Sequence, residues 1–350
     1  MLTIDPALFR PEAVDPETRR FNAELEERLA GLPATHEVPP EVTRQARAEG
    51  RGIFPPGGPL AGSQWRDIPG GRVRISPAPE APRGVYLHIH GGGWTLGAPD
   101  QHDRANQELA AASGFTVVSA AYPLAPENPW PAQLPPLIAA AEWAAAQWPG
   151  LPLAVGGESA GAHLAACLLL ALRARGGLRR VAGAVLNYGM FDLGMTPSMA
   201  RWGARKLILS TPTVAWFVGN LLPDAGGRRD PAVSPLCADL SGMPPALFQV
   251  GTLDPLLDDS LMMAARWAGA GSPAALAVWP GGVHAFDAFD LAILAGLPRP
   301  AGGIPVGAVL NRRAPRGAGG RDADPRGRGA AASPPAVAGT AGARGPVSRR

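Results

Sequence analysis

The segment from Leu151 to Leu172 constrains the fold of this 350-residue chain more than any other stretch. It begins with a short apolar run that suits a buried strand and ends with a long apolar run that suits a buried helix. Between them stands Gly157-Glu158-Ser159-Ala160-Gly161, a Gly-x-Ser-x-Gly pattern. Between a strand and a helix, this pattern is typical of a sharp turn that exposes a serine hydroxyl. Ser159 is therefore the candidate nucleophile.

Strands and helices alternate along most of the chain around this segment. Buried strands are predicted at 85–89, 115–121, 181–186, 246–250 and 275–279. A hairpin is predicted at 64–76, and helices are predicted at 103–112 and 136–148. Such an alternation is typical of an α/β fold, in which helices cover both faces of a mostly parallel sheet.

Three regions depart from this alternation. Residues 1–50 carry apolar side chains at helical spacing and predict one or two helices outside the main core. Residues from about 190 to 225 predict an inserted helical segment, a candidate lid. After the last strand, residues 289–294 predict the start of a further helix.

The last region, 296–350, consists mainly of Gly, Ala, Pro and Arg. This composition is too poor in large apolar residues to form a core, so we expect disorder there. GC-rich DNA read out of frame gives mainly these residues. A shift of reading frame near codon 294 is therefore one hypothesis for the origin of this tail.

Charge and cysteine content bear on two classes of function, nucleic-acid binding and metal binding. The formal net charge is +3, but residues 301–350 contain nine Arg and two Asp, which leaves the first 300 residues at −4. The basic excess therefore gives no reason to expect nucleic-acid binding. The two cysteines, Cys167 and Cys237, form neither a disulfide framework nor a metal-ligand spacing, so we expect no metal site.

The sequence also indicates where in the cell the protein is expected to lie. Its first residues lack a basic region followed by an apolar core, so no signal peptide is expected. The longest apolar run, 160–172, is too short to span a bilayer. We therefore expect a cytoplasmic protein without a membrane span.

A catalytic serine needs a base that takes its proton and an acceptor that orients the base. Of the six histidines, His284 alone lies in a loop after the last predicted strand. Ligands of α/β sheets bind at the carboxyl ends of the strands, where an elbow serine also points. The other histidines lie on predicted strands or at helices: His36, His88, His90, His102 and His163. We therefore expect His284 to be the base.

The acceptor is expected from a loop at the same edge of the sheet. Asp254 lies just past the strand at 246–250 and also suits the cap of the next helix. Asp258 and Asp259 lie one turn further on, and spacing alone excludes neither of them. The chain order Ser159, Asp254, His284 is that of α/β-hydrolases.

A glycine loop, His90-Gly91-Gly92-Gly93, follows the strand at 85–89. Acyl transfer places negative charge on the substrate carbonyl oxygen, and backbone N–H groups aimed at that oxygen stabilise it. Glycines allow the backbone to approach closely and to adopt dihedral angles that other residues disfavour. We therefore expect this loop to form the oxyanion hole.

Five motifs in order resemble those of the hormone-sensitive-lipase-like bacterial esterases. They lie between about residues 85 and 290 and are His90-Gly-Gly-Gly-Trp94, Tyr122-Pro-Leu-Ala-Pro-Glu127, Gly157-Glu-Ser-Ala-Gly161, Asp254-Pro-Leu-Leu-Asp-Asp259 and His284-Ala-Phe286. The chain departs from the family at Pro123, where arginine is usual, and near Pro136, where an acidic residue is usual.

The resemblance implies an α/β-hydrolase fold with an eight-stranded, mostly parallel sheet. It assigns Ser159 as nucleophile, His284 as base and Asp254 as orienting acid. Gly92, Gly93 and Ala160 are then the oxyanion donors. It also implies a catalytic domain over 51–295, a helical cap built from 1–50 and about 190–225, and no cofactor.

We interpret the chain as a serine carboxylesterase that acts on small short-acyl esters. Trp94 and Trp130 follow motifs at the catalytic edge and are candidates for substrate binding. Two alternatives stay open, namely an amidase or deacetylase on the same scaffold and a relative that binds small ligands without turnover. The sequence does not decide the oligomeric state, and a homodimer is left open.

Overall fold

Eight strands form one sheet in the computed structural model, which describes residues 3–289. The strands are β1 (Gln64–Ile68), β2 (Gly71–Ser76), β3 (Gly84–Ile89), β4 (Phe115–Ala120), β5 (Leu153–Glu158), β6 (Val181–Asn187), β7 (Ala246–Leu253) and β8 (Ala274–Val283). Their order is β1-β2-β4-β3-β5-β6-β7-β8. β2 pairs antiparallel with both β1 and β4, and every other pair is parallel. The predicted sheet is thus confirmed.

Helices cover both faces of this sheet, as the alternation predicted. In the described residues the α-helices are α1 (Pro16–Ala30), α2 (Pro40–Ala48), α3 (Asp103–Ser113), α4 (Leu134–Gln147), α5 (Ala160–Ala174), α6 (Pro197–Trp202), α7 (Thr211–Leu221) and α8 (Leu257–Gly269). Alternate residues of β3 face opposite layers. Leu87 and Ile89 lie in the main core with residues of α4, α5 and α8, whereas Tyr86 packs with Ala110 of α3.

Strands β7 and β8 run further than the sequence predicted. Their pairing continues to Leu253 and Val283, past the predicted strand ends at 250 and 279. The two backbones approach closely beside Gly251, where a Cβ atom would lie 1.9 Å from the carbonyl oxygen of Gly282. Because both strands end at the same level, the residues that follow them emerge side by side.

The N-terminal helices and the inserted segment contact each other. Arg205, between α6 and α7, donates two hydrogen bonds of 2.7 and 2.8 Å to the Glu26 carboxylate of α1. The His36 ring lies 3.0 Å from the Thr213 hydroxyl of α7. These contacts join the two regions that the sequence assigned to a cap, and the domain boundaries themselves stay predictions.

Some sequence-based expectations fall on residues without a described structure. The predicted helix at 289–294, apart from Phe289, and the predicted disorder of 296–350 lie outside the described residues. Within residues 3–289, no helix combines the length and the apolar character that a bilayer crossing requires.

Candidate active site

Ser159 occupies the sharp turn between β5 and α5. Its backbone has a φ of +56°, which is strained for a residue with a side chain. The flanking glycines let this turn lie against β3. A Cβ atom at Gly157 would lie 2.1 Å from the carbonyl oxygen of Ile89, and one at Gly161 would lie 1.9 Å from it. The tight strand–turn–helix geometry therefore lifts the Ser159 hydroxyl to the edge of the sheet.

The side chains of Ser159, His284 and Asp254 form one hydrogen-bonded chain. His284 Nε2 lies 2.8 Å from Ser159 Oγ, and His284 Nδ1 lies 2.9 Å from Asp254 Oδ2. His284 and Asp254 are 4% and 2% exposed. In the tautomer that fits a buried carboxylate, Nδ1–H donates to Asp254, and Nε2 accepts from the serine hydroxyl. The arrangement can remove the serine proton and hold the resulting imidazolium.

Asp254 also organises its own loop. Its Oδ1 accepts the Leu256 N–H at 2.8 Å, just before α8, while Oδ2 faces His284. The predicted capping role is wrong, because α8 begins at Leu257 with Leu256 as its N-cap and without a side-chain cap, so the Asp254 bond stabilises the turn before the helix. Each carboxylate oxygen has its own donor, which fixes the plane of the group.

Asp258 and Asp259, which spacing did not exclude, have different partners. Asp259 accepts the backbone N–H groups of Phe191 and Asp192 at 2.6 and 3.0 Å. Asp258 accepts the Ser198 N–H at 2.8 Å. Both carboxylates thus fasten the segment after β6 to α8, and of the three aspartates it is Asp254 that contacts the histidine.

The glycine loop lies beside Ser159 with the dihedral angles that only glycine adopts easily. Gly92 and Gly93 have φ values of +114° and +60°. A Cβ atom at Gly92 would lie 2.2 Å from the Leu96 carbonyl oxygen. Ala160 is the first residue of α5, so its N–H is one of the unpaired donors of a helix N-terminus. All three N–H groups can serve an oxyanion.

A cavity of about 420 Å³ opens at these residues. Its walls include Ser159, His284, Gly92, Gly93, Trp94 and Ala160, together with apolar side chains of the inserted segment: Ile208, Leu209, Val214 and Phe217. An ester that reaches Ser159 would therefore lie against an apolar wall.

Known proteins share this architecture. A family model described as alpha/beta hydrolase fold matches residues 86–288. Carboxylesterase NlhH of Mycobacterium tuberculosis is 34% identical over 267 residues, which cover 73% of this chain and 80% of that protein. The chain belongs to the hormone-sensitive-lipase-like esterases of the α/β-hydrolase fold.

Solved structures of esterases agree with this membership. A hyperthermophilic esterase from the archaeon Pyrobaculum calidifontis has a TM-score of 0.71 and 29% identity, over 80% of this chain and 94% of that one. A hormone-sensitive lipase from a metagenome library has a TM-score of 0.70 and 29% identity, over 79% of this chain and 91% of that one.

Next to the serine, this esterase has a carboxylate network that the sequence analysis missed. Glu158 Oε1 accepts the Gly91 N–H at 2.7 Å, and Oε2 accepts from His88 Nε2 at 2.9 Å. The Ser119 hydroxyl lies 2.8 Å from His88 Nδ1. Burial would raise the pKa of Glu158, but His88, His102 and these hydrogen bonds hold it at about 2. The carboxylate is therefore ionised and tied to the glycine loop.

The only feature of the sequence that pointed to this network was the position of two histidines, His88 and His102. His88 lies two residues before His90 on β3, and His102 precedes α3, so both belong to the α3 side of the sheet. Ligand atoms of His88, His102 and Glu158 lie within 4.8 Å of one another, a spacing that a metal ion could bridge. Cysteine spacing, the basis of the prediction of no metal site, could not reveal such a group.

The two tryptophans named from the sequence have different surroundings. Trp94 lines the cavity, and its Nε1–H donates to His163 Nδ1 at 3.0 Å. His163 Nε2 donates to the Val233 carbonyl oxygen at 2.7 Å, and burial lowers the pKa of His163 to about 4. Trp130 lies behind this histidine, with 6.2 Å between the ring centroids, and is not among the cavity-lining residues. Trp94 is therefore the better placed of the two to touch a substrate.

Proposed function

We propose that this esterase is a serine carboxylesterase that hydrolyses short-acyl esters of small molecules through an acyl-enzyme. The observation that carries the proposal is the hydrogen-bonded chain from Ser159 through His284 to Asp254, with distances of 2.8 and 2.9 Å. A serine, a histidine and a buried carboxylate in this order of contact have the geometry of nucleophilic acyl transfer.

In the first half of the reaction, Ser159 Oγ bonds to the ester carbonyl carbon while His284 Nε2 takes the hydroxyl proton. The electron pair of the carbonyl bond moves to its oxygen, and the N–H groups of Gly92, Gly93 and Ala160 stabilise that charge. When the oxyanion collapses, the bond to the alcohol oxygen breaks, and His284 returns the proton to the leaving alcohol. An acyl group then remains on Ser159.

In the second half, water takes the place of the alcohol. His284 removes a proton from the water, whose oxygen bonds to the acyl carbon. The bond to Ser159 breaks, and the proton returns to the serine. The sum is one ester and one water converted to one acid and one alcohol, and Asp254 keeps the imidazole oriented throughout.

The cavity supports the preference for short acyl groups. Its volume of about 420 Å³ lies near the low end of ligand pockets, and Phe217 of α7 stands over the glycine loop. A Cβ atom at Gly93 would lie 2.3 Å from the Phe217 ring, which shows how closely α7 approaches this loop. Acyl chains of about two to six carbons are expected to fit best.

Initial rates on p-nitrophenyl esters of increasing acyl length test the proposal, with Ser159→Ala as the matched variant. We expect the highest kcat/KM at two to six carbons and a loss of several orders of magnitude in kcat for the variant. Faster turnover of C12 or C16 esters would contradict the chain-length preference. Hydrolysis of anilides at the rate of the esters would favour the amidase alternative, and binding without turnover would favour the receptor alternative.

A further inference from the structure

Arg47 of α2 is a partly buried cation in the wall of the cavity, and no described residue serves as its counter-ion. Within residues 3–289 its guanidinium takes part in no hydrogen bond and no ion pair. Its aromatic contact is with Phe54, whose ring centroid lies 5.6 Å from Arg47 Cζ. Phe54 lines the same cavity, so this guanidinium is held at the wall by a ring and not by a carboxylate.

Arg44, also on α2, provides a comparison, because its guanidinium is paired with a carboxylate. Arg44, one turn earlier, forms two hydrogen bonds of 2.8 Å with the Glu127 carboxylate. Glu127 raises the pKa of Arg44, whereas burial lowers the pKa of Arg47 to about 10. Removing a cation from water without a partner is unfavourable, and a bound anion would recover that free energy.

The cavity carboxylates already have partners. Glu158 accepts from Gly91 and His88, and Asp287 accepts the Tyr188 hydroxyl at 2.5 Å. Among the described residues, the other Arg and Glu side chains that line the cavity, Arg104 and Glu108, carry opposite charges and lie exposed on α3. An entering anion would therefore find Arg47 as its partly buried and unpaired cationic partner.

The charge of Arg47 acts on a histidine that lies beside Glu158, the residue before the candidate nucleophile. This charge lowers the pKa of the nearby His102, although burial of that ring is the larger cause. His102 Nδ1 lies 3.4 Å from Glu158 Oε1, and Glu158 precedes Ser159. The cavity wall thus has a cationic side at α2 and an apolar side formed by Val214 and Phe217 of α7.

We propose that the substrate is an ester that carries a carboxylate, which Arg47 binds while the uncharged end lies against α7. The proposal rests on the proposed function, because it assumes that Ser159 hydrolyses the ester bond between these two ends. Two arrangements fit, with the carboxylate on the acyl part or on the alcohol part. Guanidinium binds carboxylate through two parallel N–H donors, which gives both affinity and orientation.

The test compares charged esters with uncharged isosteres at low ionic strength and neutral pH. The acyl arm uses monoethyl glutarate and the corresponding monoamide ester. The alcohol arm uses the acetyl ester of γ-hydroxybutyrate and the acetyl ester of its amide. For each pair the preference is the kcat/KM of the carboxylate divided by that of the amide, measured by titration of released acid.

We expect a preference of about tenfold or more in one arm, the size expected of a hydrogen bond to a charged group. Arg47→Gln should lower that preference about tenfold. Arg47→Lys keeps the charge but lacks the two parallel N–H donors, so it should lower the preference less. Arg28→Gln, an exposed arginine of α1, is the matched control and should leave the preference unchanged. Thermal unfolding of each variant verifies that it is folded.

Hydrolysis of the uncharged amide esters without a preference for the carboxylate in either arm would overturn this inference and leave the proposed function intact. A preference that survives Arg47→Gln would also overturn it. If no ester of either arm or of the p-nitrophenyl series is hydrolysed, the proposed function fails, and this inference fails with it.

Discussion

Gly91 donates its backbone N–H to the carboxylate of Glu158 at 2.7 Å, and this bond joins the glycine loop to the residue before the candidate nucleophile. Glu158 thereby ties the loop that holds the proposed oxyanion donors, Gly92 and Gly93, to the segment that holds the Ser159 hydroxyl. His88 holds the other carboxylate oxygen at 2.9 Å. Preorganised donors stabilise a transition state only when they are held in place before reaction, so Glu158 is expected to act as a positioning residue.

The first prediction concerns Glu158→Gln. An amide has one acceptor oxygen where the carboxylate has two, so either Gly91 or His88 loses its partner. We expect kcat to fall about tenfold or more while KM changes little, because the oxyanion donors act mainly in the transition state. Steady-state kinetics on a short-acyl ester measure both constants. A variant with wild-type kcat would contradict the positioning role.

The same substitution should change the acid stability of the protein. Folding lowers the pKa of Glu158 from 4.5 to about 2, so its stabilisation is present above pH 4.5 and is lost as the pH falls towards 2. Glu158→Gln should therefore unfold more easily than wild type at neutral pH, and the difference should shrink below pH 4.5. Denaturant unfolding across this range measures it, with the exposed Glu27→Gln as control.

A second prediction distinguishes the roles of Asp254 and Asp259, which both follow β7. Asp254→Asn should lower kcat by roughly 10⁴, because the amide favours the wrong histidine tautomer. Asp259→Asn should instead lower the free energy of unfolding by about 1–3 kcal/mol. The amide has one acceptor oxygen, so it cannot serve both the backbone N–H groups of Phe191 and Asp192 and the Thr196 hydroxyl. If Asp254→Asn is mild and Asp259→Asn abolishes turnover in folded protein, the assignment of the acid is wrong.

A third prediction compares glycines in two helices. At Gly161 of α5 a Cβ atom would lie 1.9 Å from the Ile89 carbonyl oxygen, so Gly161→Ala must displace β3 or α5. We expect it to cost at least about 2–3 kcal/mol of stability. Gly219 of α7 has open space at its Cβ position, and Gly219→Ala should gain up to about 1 kcal/mol. Equal melting temperatures for the two variants would contradict the close approach at the elbow.

Sequence reasoning was most informative where one local pattern positions one residue. The strand, turn and helix around Ser159 are determined by residues that are adjacent in sequence. The structure has this order of elements, from β5 through Ser159 into α5. Asp254 and His284 each follow a strand directly, and parallel strands bring their carboxyl ends to one edge. The three side chains could therefore be predicted to meet, although nothing in the spacing gave their distances.

Clusters of side chains that come from segments far apart in sequence could not be predicted in this way. Glu158 meets His88, 70 positions away in sequence, because β3 and β5 are neighbours in a sheet order that the sequence did not specify. That Arg47 has no ion-pair partner among residues 3–289 depends on which side chains pack around α2. The end of β8 was predicted too early, at 279, whereas its pairing with β7 continues past Gly251 to Val283.

The central claim, that Ser159 is the nucleophile, is tested most directly by labelling with diethyl p-nitrophenyl phosphate followed by peptide mass spectrometry. The account predicts one diethylphosphoryl group per chain, on the peptide that contains Ser159, with release of one p-nitrophenol. Ser159→Ala should take up no label, and His284→Ala should react far more slowly. Labelling of another residue, or an unlabelled wild-type enzyme that keeps its full esterase activity, would contradict the account.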